Sequence, residues 1–327
     1  MTSKEESGAP ESPPTGRSIS CRAASLASVV MCVPTMLAFG GVEHWTAGLC
    51  AELRMQWVIA LSLIGLLSVG LRAWKTLALI LLLFCIHAAW MVPHLIPAAS
   101  DGGSQELRVA TANVYSGNRN YKLIEAELNR ANADLIVVVE LTTSVDAYLR
   151  KAFGSSHPYS IVSCRDDGNF GIGIYSAVPL RDKSIKYLNS LHLPCAAATI
   201  DRGGTPVHIL AVHTLPPVGR RGFNSRNEEL NLIADYVIRR ADQKTVVLGD
   251  LNLTPWSPVY HRFLHDARLT SAGQGHLTPT WYQFSAFPFG LILDHVLVGH
   301  GISTSDYRVS ENAGSDHRFV STTLEWD

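Results

Sequence analysis

The stretch Thr245-Val246-Val247-Leu248-Gly249-Asp250-Leu251-Asn252 decides how the rest of the chain is read. Four β-branched or aliphatic residues bounded by a glycine read as a fully buried strand. Where that strand runs out, a carboxylate and a carboxamide stand two positions apart. In extended chain such side chains share a face. Strand ends of this kind are where open α/β sheets bind ligands. Asp250 offers a hard anionic oxygen, and Asn252 offers an acceptor and a donor. The pair suits a hydrated divalent cation beside a phosphoryl oxygen. By itself Asp-x-Asn after a strand is a turn signal, so its weight comes from its flanks.

From Glu106 onward, short apolar runs alternate with amphipathic helices. Strands are expected over Leu107–Val114 and Leu135–Val139, near Tyr159–Val162, Gly171–Tyr175, Ala197–Ile200 and Val207–Val212, and later near Leu293–Val298, Tyr307–Val309 and Phe319–Leu324. Helices are expected over Tyr121–Ala131, Asp146–Phe153, Asn227–Arg240 and Val259–Leu264. Strands and helices mixed over residues 106–327 fit one large α/β domain with two packed sheets. Several of these strands end in residues unsuited to a core: Asn113, Glu140, His213, Asp250 with Asn252, Asp294-His295, and Ser315-Asp316-His317. Each alone is as well explained by a cap or a turn. Six in order, all at strand edges, converge on one rim if the strands are neighbours.

These pieces, Ala110-Thr-Ala-Asn113, Val137-Val-Val-Glu140, Ala211-Val-His213-Thr, Gly249-Asp250-Leu-Asn252, Asp294-His295-Val-Leu-Val and Ser315-Asp316-His317, resemble the endonuclease/exonuclease/phosphatase superfamily with its DNase I-like fold. The resemblance runs from about Leu107 to the C-terminus. It implies a four-layer α/β sandwich of two mixed sheets flanked by helices, and a metal-dependent phosphoesterase. By the same resemblance Glu140 is a metal-binding glutamate supported by Asn113, and Asp316 a further metal or water contact. Asp250 and Asn252 contact the attacking water or the phosphoryl group, His213 hydrogen-bonds the phosphate, and His317 is the catalytic histidine oriented by Asp294. The chemistry agrees. Mg²⁺ or Mn²⁺ held by few carboxylates keeps positions open for phosphate oxygens. A histidine paired with a carboxylate is fixed in tautomer and stabilised as imidazolium. Either His317 or Asp250 can take the proton from water. No Ser, Thr or Cys stands in a nucleophile-elbow context, and the cysteines lack the paired spacing of a zinc site. The chain departs from many nuclease members in placing Tyr115 where they carry an aspartate, which leaves open one metal or two.

Other residues stay secondary. His295 faces away from Asp294 in a regular strand and reads as structural. Arg220, Arg221 and Arg226 read as a solvated charged loop, with a phosphate contact as the alternative. Thr280, Trp281, Tyr282, Phe284, Phe287 and Phe289 line a substrate pocket, stack a base, dip into the membrane surface or pack in the core, the readings this aromatic run leaves open. Cys164 and Cys195 are either a disulfide pair or two buried thiols.

Upstream, residues 1–20 read as a disordered tail and 96–105 as a linker. Between them, residues 21–95 hold three apolar runs, about Ala23–Val42, Trp57–Leu71 and Leu77–Val92, read as transmembrane helices. Lys4, Arg17 and Arg22 precede the first and Arg72 and Lys75 lie between the second and third, whereas the first loop holds only Arg54. The positive-inside rule then places everything after Pro93 outside the cytoplasm. The whole chain carries a net charge of −1, and from Asp101 onward 21 Lys+Arg stand against 23 Asp+Glu. That balance speaks against a dedicated duplex-DNA binder. The expectation is a membrane-anchored phosphoesterase acting on a lipid, small-molecule or nucleic-acid phosphoester. An extracytoplasmic nuclease and a catalytically silent phospho-ligand domain are the alternatives.

Overall fold

A computed structural model describes residues 16–41, 44–97, 102–282 and 290–327. In chain order the helices are α1 (Gly16–Leu37), α2 (Trp45–Glu52), α3 (Arg54–Gly70), α4 (Trp74–Met91), α5 (Tyr121–Ala131), α6 (Thr143–Phe153), α7 (Gly219–Ile238) and α8 (Pro258–Ala267). The strands are β1 (Gln105–Asn113), β2 (Leu135–Val139), β3 (Tyr159–Ser163), β4 (Ile172–Ser176), β5 (Arg181–Tyr187), β6 (Pro194–Arg202), β7 (Thr205–His213), β8 (Lys244–Asp250), β9 (Thr270–Ser271), β10 (Trp281–Tyr282), β11 (Gly290–Leu291), β12 (Asp294–Val298), β13 (Ser303–Val309) and β14 (Val320–Trp326).

Two six-stranded sheets form, ordered β13-β14-β1-β2-β4-β3 and β5-β6-β7-β8-β12-β9. Both are mixed: β1 runs parallel to β2 and β7 parallel to β8, and the other pairings are antiparallel. The apolar faces of the two sheets meet in a core that includes Val109, Val137, Ile174, Ile209, Val246 and Val320. Helices α5 and α6 cover the outer face of the first sheet through Ile124, Leu128, Val145 and Leu149. Helices α7 and α8 cover the second through Leu230, Ile233, Tyr260 and Phe263. Central strands buried on both faces explain the unbroken apolar runs at Leu135–Val139 and in the Thr245 segment. The result is the expected four-layer α/β/β/α sandwich.

The N-terminal part differs in detail from its sequence reading. The segments Ile19–Gly40 and Trp74–Leu95, each 22 residues, are long and apolar enough to cross a membrane. A third candidate is the broken pair α2 and α3, bent by 64°. Helix α2 occupies what reads in the sequence as a loop between the first two spans. Residues 1–15 of the expected tail lie outside the described residues, and Gly16–Ser20 already belong to α1. Arg54, read as a loop charge, is fully buried. Its Nη2 donates to the Ala38 carbonyl at 3.0 Å and its guanidinium lies 4.6 Å from the Trp90 ring centroid. A cation stacked on an aromatic face and bonded to a helix-terminal carbonyl tolerates that burial.

Helix α7 begins at Gly219, eight residues before the helix expected from the apolar spacing, and takes in Arg220, Arg221 and Arg226. Arg226 is fully buried, so neither reading of it as a solvated loop cation nor as a phosphate contact describes it. Cys164 and Cys195 are both free thiols, and burial pushes each up, Cys164 to about 11.

Candidate active site

Three of the polar strand ends stand side by side on the second sheet. His213 on β7 is in register with Asp250 on β8, and Asp250 with Asp294 on β12. Residues paired across a ladder project to the same face, so one carboxylate is flanked by an imidazole and a second carboxylate. On the first sheet, Asn113 ends β1 and Glu140 follows β2. Asn113 joins the two sheets: its Nδ2 donates to Glu140 Oε1 at 3.2 Å and to Asp250 Oδ2 at 3.1 Å. Its Oδ1 accepts from the Tyr115 N–H at 3.1 Å, which fixes the amide orientation. The asparagine therefore holds two carboxylates at one spacing. His317 arrives on the turn before β14, where Ser315 Oγ donates to the Asn113 carbonyl at 2.8 Å and accepts from the His317 N–H at 3.0 Å.

The backbone at these ends leaves regular strand geometry. Gly249 has φ +145°, and a Cβ there would sit 1.9 Å from the Val212 carbonyl oxygen, so no larger residue fits between β7 and Asp250. Glu140 and Asn252 adopt φ of 58° and 47°. Non-glycine residues in that region carry strain of about 1–3 kcal/mol and cluster at functional sites. The left-handed turn at Asn252 also corrects the alternation argument. The strand ends at Asp250, so Asn252 reaches the site by a turn and not by extended spacing. Asp250 Oδ1 accepts from the Asn252 N–H at 2.9 Å, and Asn252 Nδ2 donates to the Thr214 carbonyl at 2.8 Å. Glu140 is anchored by the Ser116 N–H at 2.9 Å.

Charge is concentrated here out of water. His317 Nδ1 lies 2.7 Å from Asp294 Oδ2, and its Nε2 lies 3.7 Å from Asp250 Oδ2. Burial lowers the basicity of His317, but Asp294 and then Asp250 outweigh it and push the imidazole up to about 10, so the ring is a cation at neutral pH. His213 Nε2 sits 3.6 Å from the same Asp250 oxygen. There burial, reinforced by the cationic His317, holds the ring down to about 3 and keeps it neutral. The Phe170 ring covers it at a centroid distance of 4.9 Å. Burial raises the carboxyl groups of Asp250 and Glu140 above their usual range. His317 opposes the shift at Asp250, and the Ser116 and Asn113 hydrogen bonds oppose it at Glu140.

These donors fit a divalent cation. Three buried carboxylates, Glu140, Asp250 and Asp294, face a single imidazolium, and Asp294 Oδ1 has no hydrogen-bond partner among the described residues. Uncompensated buried charge is costly, and an oxygen-rich donor set is what hard cations take. The nearest carboxylate oxygens of Asp250 and Asp294 lie within 4.8 Å of one another, beside the His317 ring.

The remaining expected residues fall around this cluster. Asp316 is exposed at its edge and accepts from Trp281 Nε1 at 3.1 Å. Thr280 Oγ1 accepts from the Leu293 and Asp294 N–H groups at 2.9 and 3.0 Å, steadying the base of Asp294. His295 is structural, as its strand position implies: its Nε2 lies 2.7 Å from the Leu253 carbonyl oxygen. Phe284, Phe287 and Phe289 lie outside the described residues. A cavity of about 760 Å³ opens over the cluster. Besides the site residues, it is lined by Phe170, Pro216, Val218, Leu291 and, from the N-terminal segment, Leu49 and Leu53. Neither leucine carries any signal in the sequence, because both sit in a stretch with no periodicity pointing to the site.

A four-layer sandwich with a carboxylate–imidazole cluster at the strand ends defines a class of phosphoester hydrolases. Residues 110–317 match the family model described as the Endonuclease/Exonuclease/phosphatase family, and the chain belongs to that family. It is a hydrolase acting on phosphoester bonds. Among solved structures, an endonuclease/exonuclease/phosphatase from Beutenbergia cavernae is 18% identical with a TM-score of 0.58, over 68% of this chain and 72% of that one. Danio rerio TDP2 complexed with a single-strand DNA product is 15% identical with a TM-score of 0.55, over 67% and 99%. Sphingomyelinase C from Streptomyces griseocarneus is 19% identical with a TM-score of 0.52, over 67% and 99%. At these identities the likeness is one of fold. No curated protein matches the chain.

Proposed function

We propose that this chain is a membrane-anchored phosphoester hydrolase dependent on Mg²⁺ or Mn²⁺, with its catalytic part outside the cytoplasm. The observation that carries the reading is the Asp294–His317 contact of 2.7 Å beside Asp250 and Glu140, at the floor of an accessible cavity. Glu140 is the residue to hold the cation, with Asn113 fixing its distance from Asp250 and Asp316 at the rim. When bound, the cation neutralises charge on the phosphoryl oxygens as a Lewis acid.

The chain's own groups divide the remaining work. His317, kept cationic by Asp294, presents Nε2–H where negative charge builds on the phosphoryl group. Neutral His213 adds a second hydrogen-bonding nitrogen, and Asn252 lines the same wall. Asp250 is the acceptor for the proton of the attacking water, because its Oδ2 stands 3.6 and 3.7 Å from the two imidazoles at the floor of the cavity.

The apolar far wall, Leu49, Leu53, Pro216, Val218 and Leu291, favours a phosphoester carried on an apolar or amphiphilic group. The sphingomyelinase fold likeness supports that reading. The TDP2 complex with single-strand DNA supports a second one, an extracytoplasmic nuclease, against which stands the net charge of −2 from Asp101 onward. A panel of sphingomyelin, phosphoinositides and plasmid DNA, given to the full chain in nanodiscs with Mg²⁺, separates the two. Release of a lipid headgroup supports the first reading, and DNA cleavage alone replaces it with the second. For topology, an active alkaline phosphatase fused at the C-terminus is the expected result. A fluorescent C-terminal reporter with an inactive phosphatase would reverse the orientation.

A further inference from the structure

Helix α2 belongs to the N-terminal apolar part of the chain, yet its last residue is built into the catalytic loop. Glu52 is 4% exposed. Its Oε2 accepts from both the N–H and the Oγ1 of Thr254, each at 2.7 Å. Its Oε1 accepts from Arg226 Nη1 at 3.3 Å, and the same Nη1 donates to the Asn252 carbonyl at 2.8 Å. The Glu52 carbonyl accepts from Trp256 Nε1 at 2.8 Å. The five residues after Leu251 are therefore gripped at Asn252, Thr254 and Trp256, and each grip runs directly or through one guanidinium to Glu52.

That segment needs such a grip. Asn252 holds φ 47°, a strained conformation that persists only when its surroundings enforce it. Its N–H in turn is a hydrogen-bond donor to Asp250 Oδ1. Arg226 is fully buried on α7, three residues after Phe223, whose ring fills the space over Gly48 of α2. A buried guanidinium stripped of its carboxylate is an uncompensated charge, which destabilises the packing that holds it against the Asn252 carbonyl. The span on one side and the loop on the other are thus tied through two charges that water does not reach.

We propose that Glu52 is a positioning residue for the Asp250–Asn252 loop, so that the N-terminal membrane segment is a working part of the active site as well as an anchor. The inference rests on the role given above to Asp250 and Asn252. Glu52 borders the cavity beside Leu49 and Leu53, and both its carboxylate oxygens are engaged by Arg226 and Thr254, through which it acts.

The test uses the full chain in nanodiscs, with wild type, Glu52→Gln, Glu52→Ala and Thr254→Val compared in two ways. Hydrolysis of bis-p-nitrophenyl phosphate gives kcat and KM separately, and hydrogen exchange gives amide protection over residues 250–257. Loss of a supporting partner behind an active-site group costs on the order of 10–100-fold. Glu52→Gln, which keeps an acceptor for Thr254 but not the negative charge that faces Arg226, is expected to lower kcat about tenfold with KM within about twofold, and to lower protection in that segment alone. Glu52→Ala is expected to fall further, towards about 100-fold, with Thr254→Val intermediate. Should Glu52→Ala fail to fold, Glu52→Gln decides. Unchanged kcat together with unchanged exchange at 250–257 in Glu52→Gln overturns the proposal. An inactive wild type counts against the hydrolase reading instead, and the exchange data then judge Glu52 alone.

Discussion

Glu229 offers a quantitative test of how the helical layer is built. It lies on the inner face of α7, 1% exposed, and neither carboxylate oxygen has a partner among the described residues. Burial, with neighbouring Glu228 adding to it, pushes the carboxyl up to about 8. In the unfolded chain the same group titrates near ~4.3. Between those two values the native state keeps the proton and the unfolded state releases it. Stability contributed by this site therefore falls as pH rises from about 4.3 to about 8. At about 1.36 kcal/mol for each decade, the native state is penalised by about 1 kcal/mol at pH 5 and about 4 kcal/mol at pH 7. Glu229→Met keeps the length and removes the penalty. The variant is expected to melt higher than wild type at pH 7 by on the order of 10 °C, using roughly 2–4 °C per kcal/mol for a domain of this size. The gap should narrow as pH falls to 5. Differential scanning fluorimetry of both proteins in detergent across pH 5–8.5 measures it. A difference that does not change with pH, or a variant that melts lower at pH 8, would refute the assignment of Glu229 as a buried, unpaired acid.

Other substitutions probe the site. Gly249→Ala places a methyl 1.9 Å from the Val212 carbonyl at φ +145°, and is expected to lower folded yield and melting temperature by more than an ordinary surface change, on the order of 3 kcal/mol or above. Asn113→Ala removes the donor shared by Glu140 and Asp250; the Mg²⁺ concentration for half-maximal hydrolysis should rise about 10–100-fold in a metal titration. His213→Ala should lower kcat by about 10²–10³. Because His213 is held neutral with a pKa of about 3, the wild-type and variant pH profiles should have the same shape from pH 5 to 8.

What the sequence made legible follows from periodicity. His213, Asp250 and Asp294 terminate buried runs, and neighbouring parallel and antiparallel ladders then bring all three to one level. Glu140 and His317 were readable for the same reason, as polar residues at apolar strand edges. Relationships across the sheet-to-sheet gap, His317 to Asp294 among them, came from the family resemblance and not from periodicity. Asn113 reads as a turn residue until the second sheet sets Asp250 3.1 Å from its amide. The strand β5 was missed because its sequence, Arg-Asp-Lys-Ser-Ile-Lys-Tyr, is that of a solvated edge with no apolar run to announce it. Glu52 and Arg226 were opaque for a different reason. Nothing in either local segment marks one as the other's partner, and only tertiary packing brings two residues 174 positions apart in sequence to 3.3 Å in space.

The central claim is that the Asp294–His317 pair and its neighbouring carboxylates form a metal-dependent hydrolytic site. It is tested most directly by the rate of bis-p-nitrophenyl phosphate hydrolysis by the full chain, measured with Mg²⁺, after chelation, and for His317→Ala. The expected result is Mg²⁺-stimulated turnover that chelation abolishes and added Mg²⁺ restores, lowered about 10²–10⁴-fold in the variant. Turnover that survives chelation, or an equal rate in His317→Ala, would contradict it.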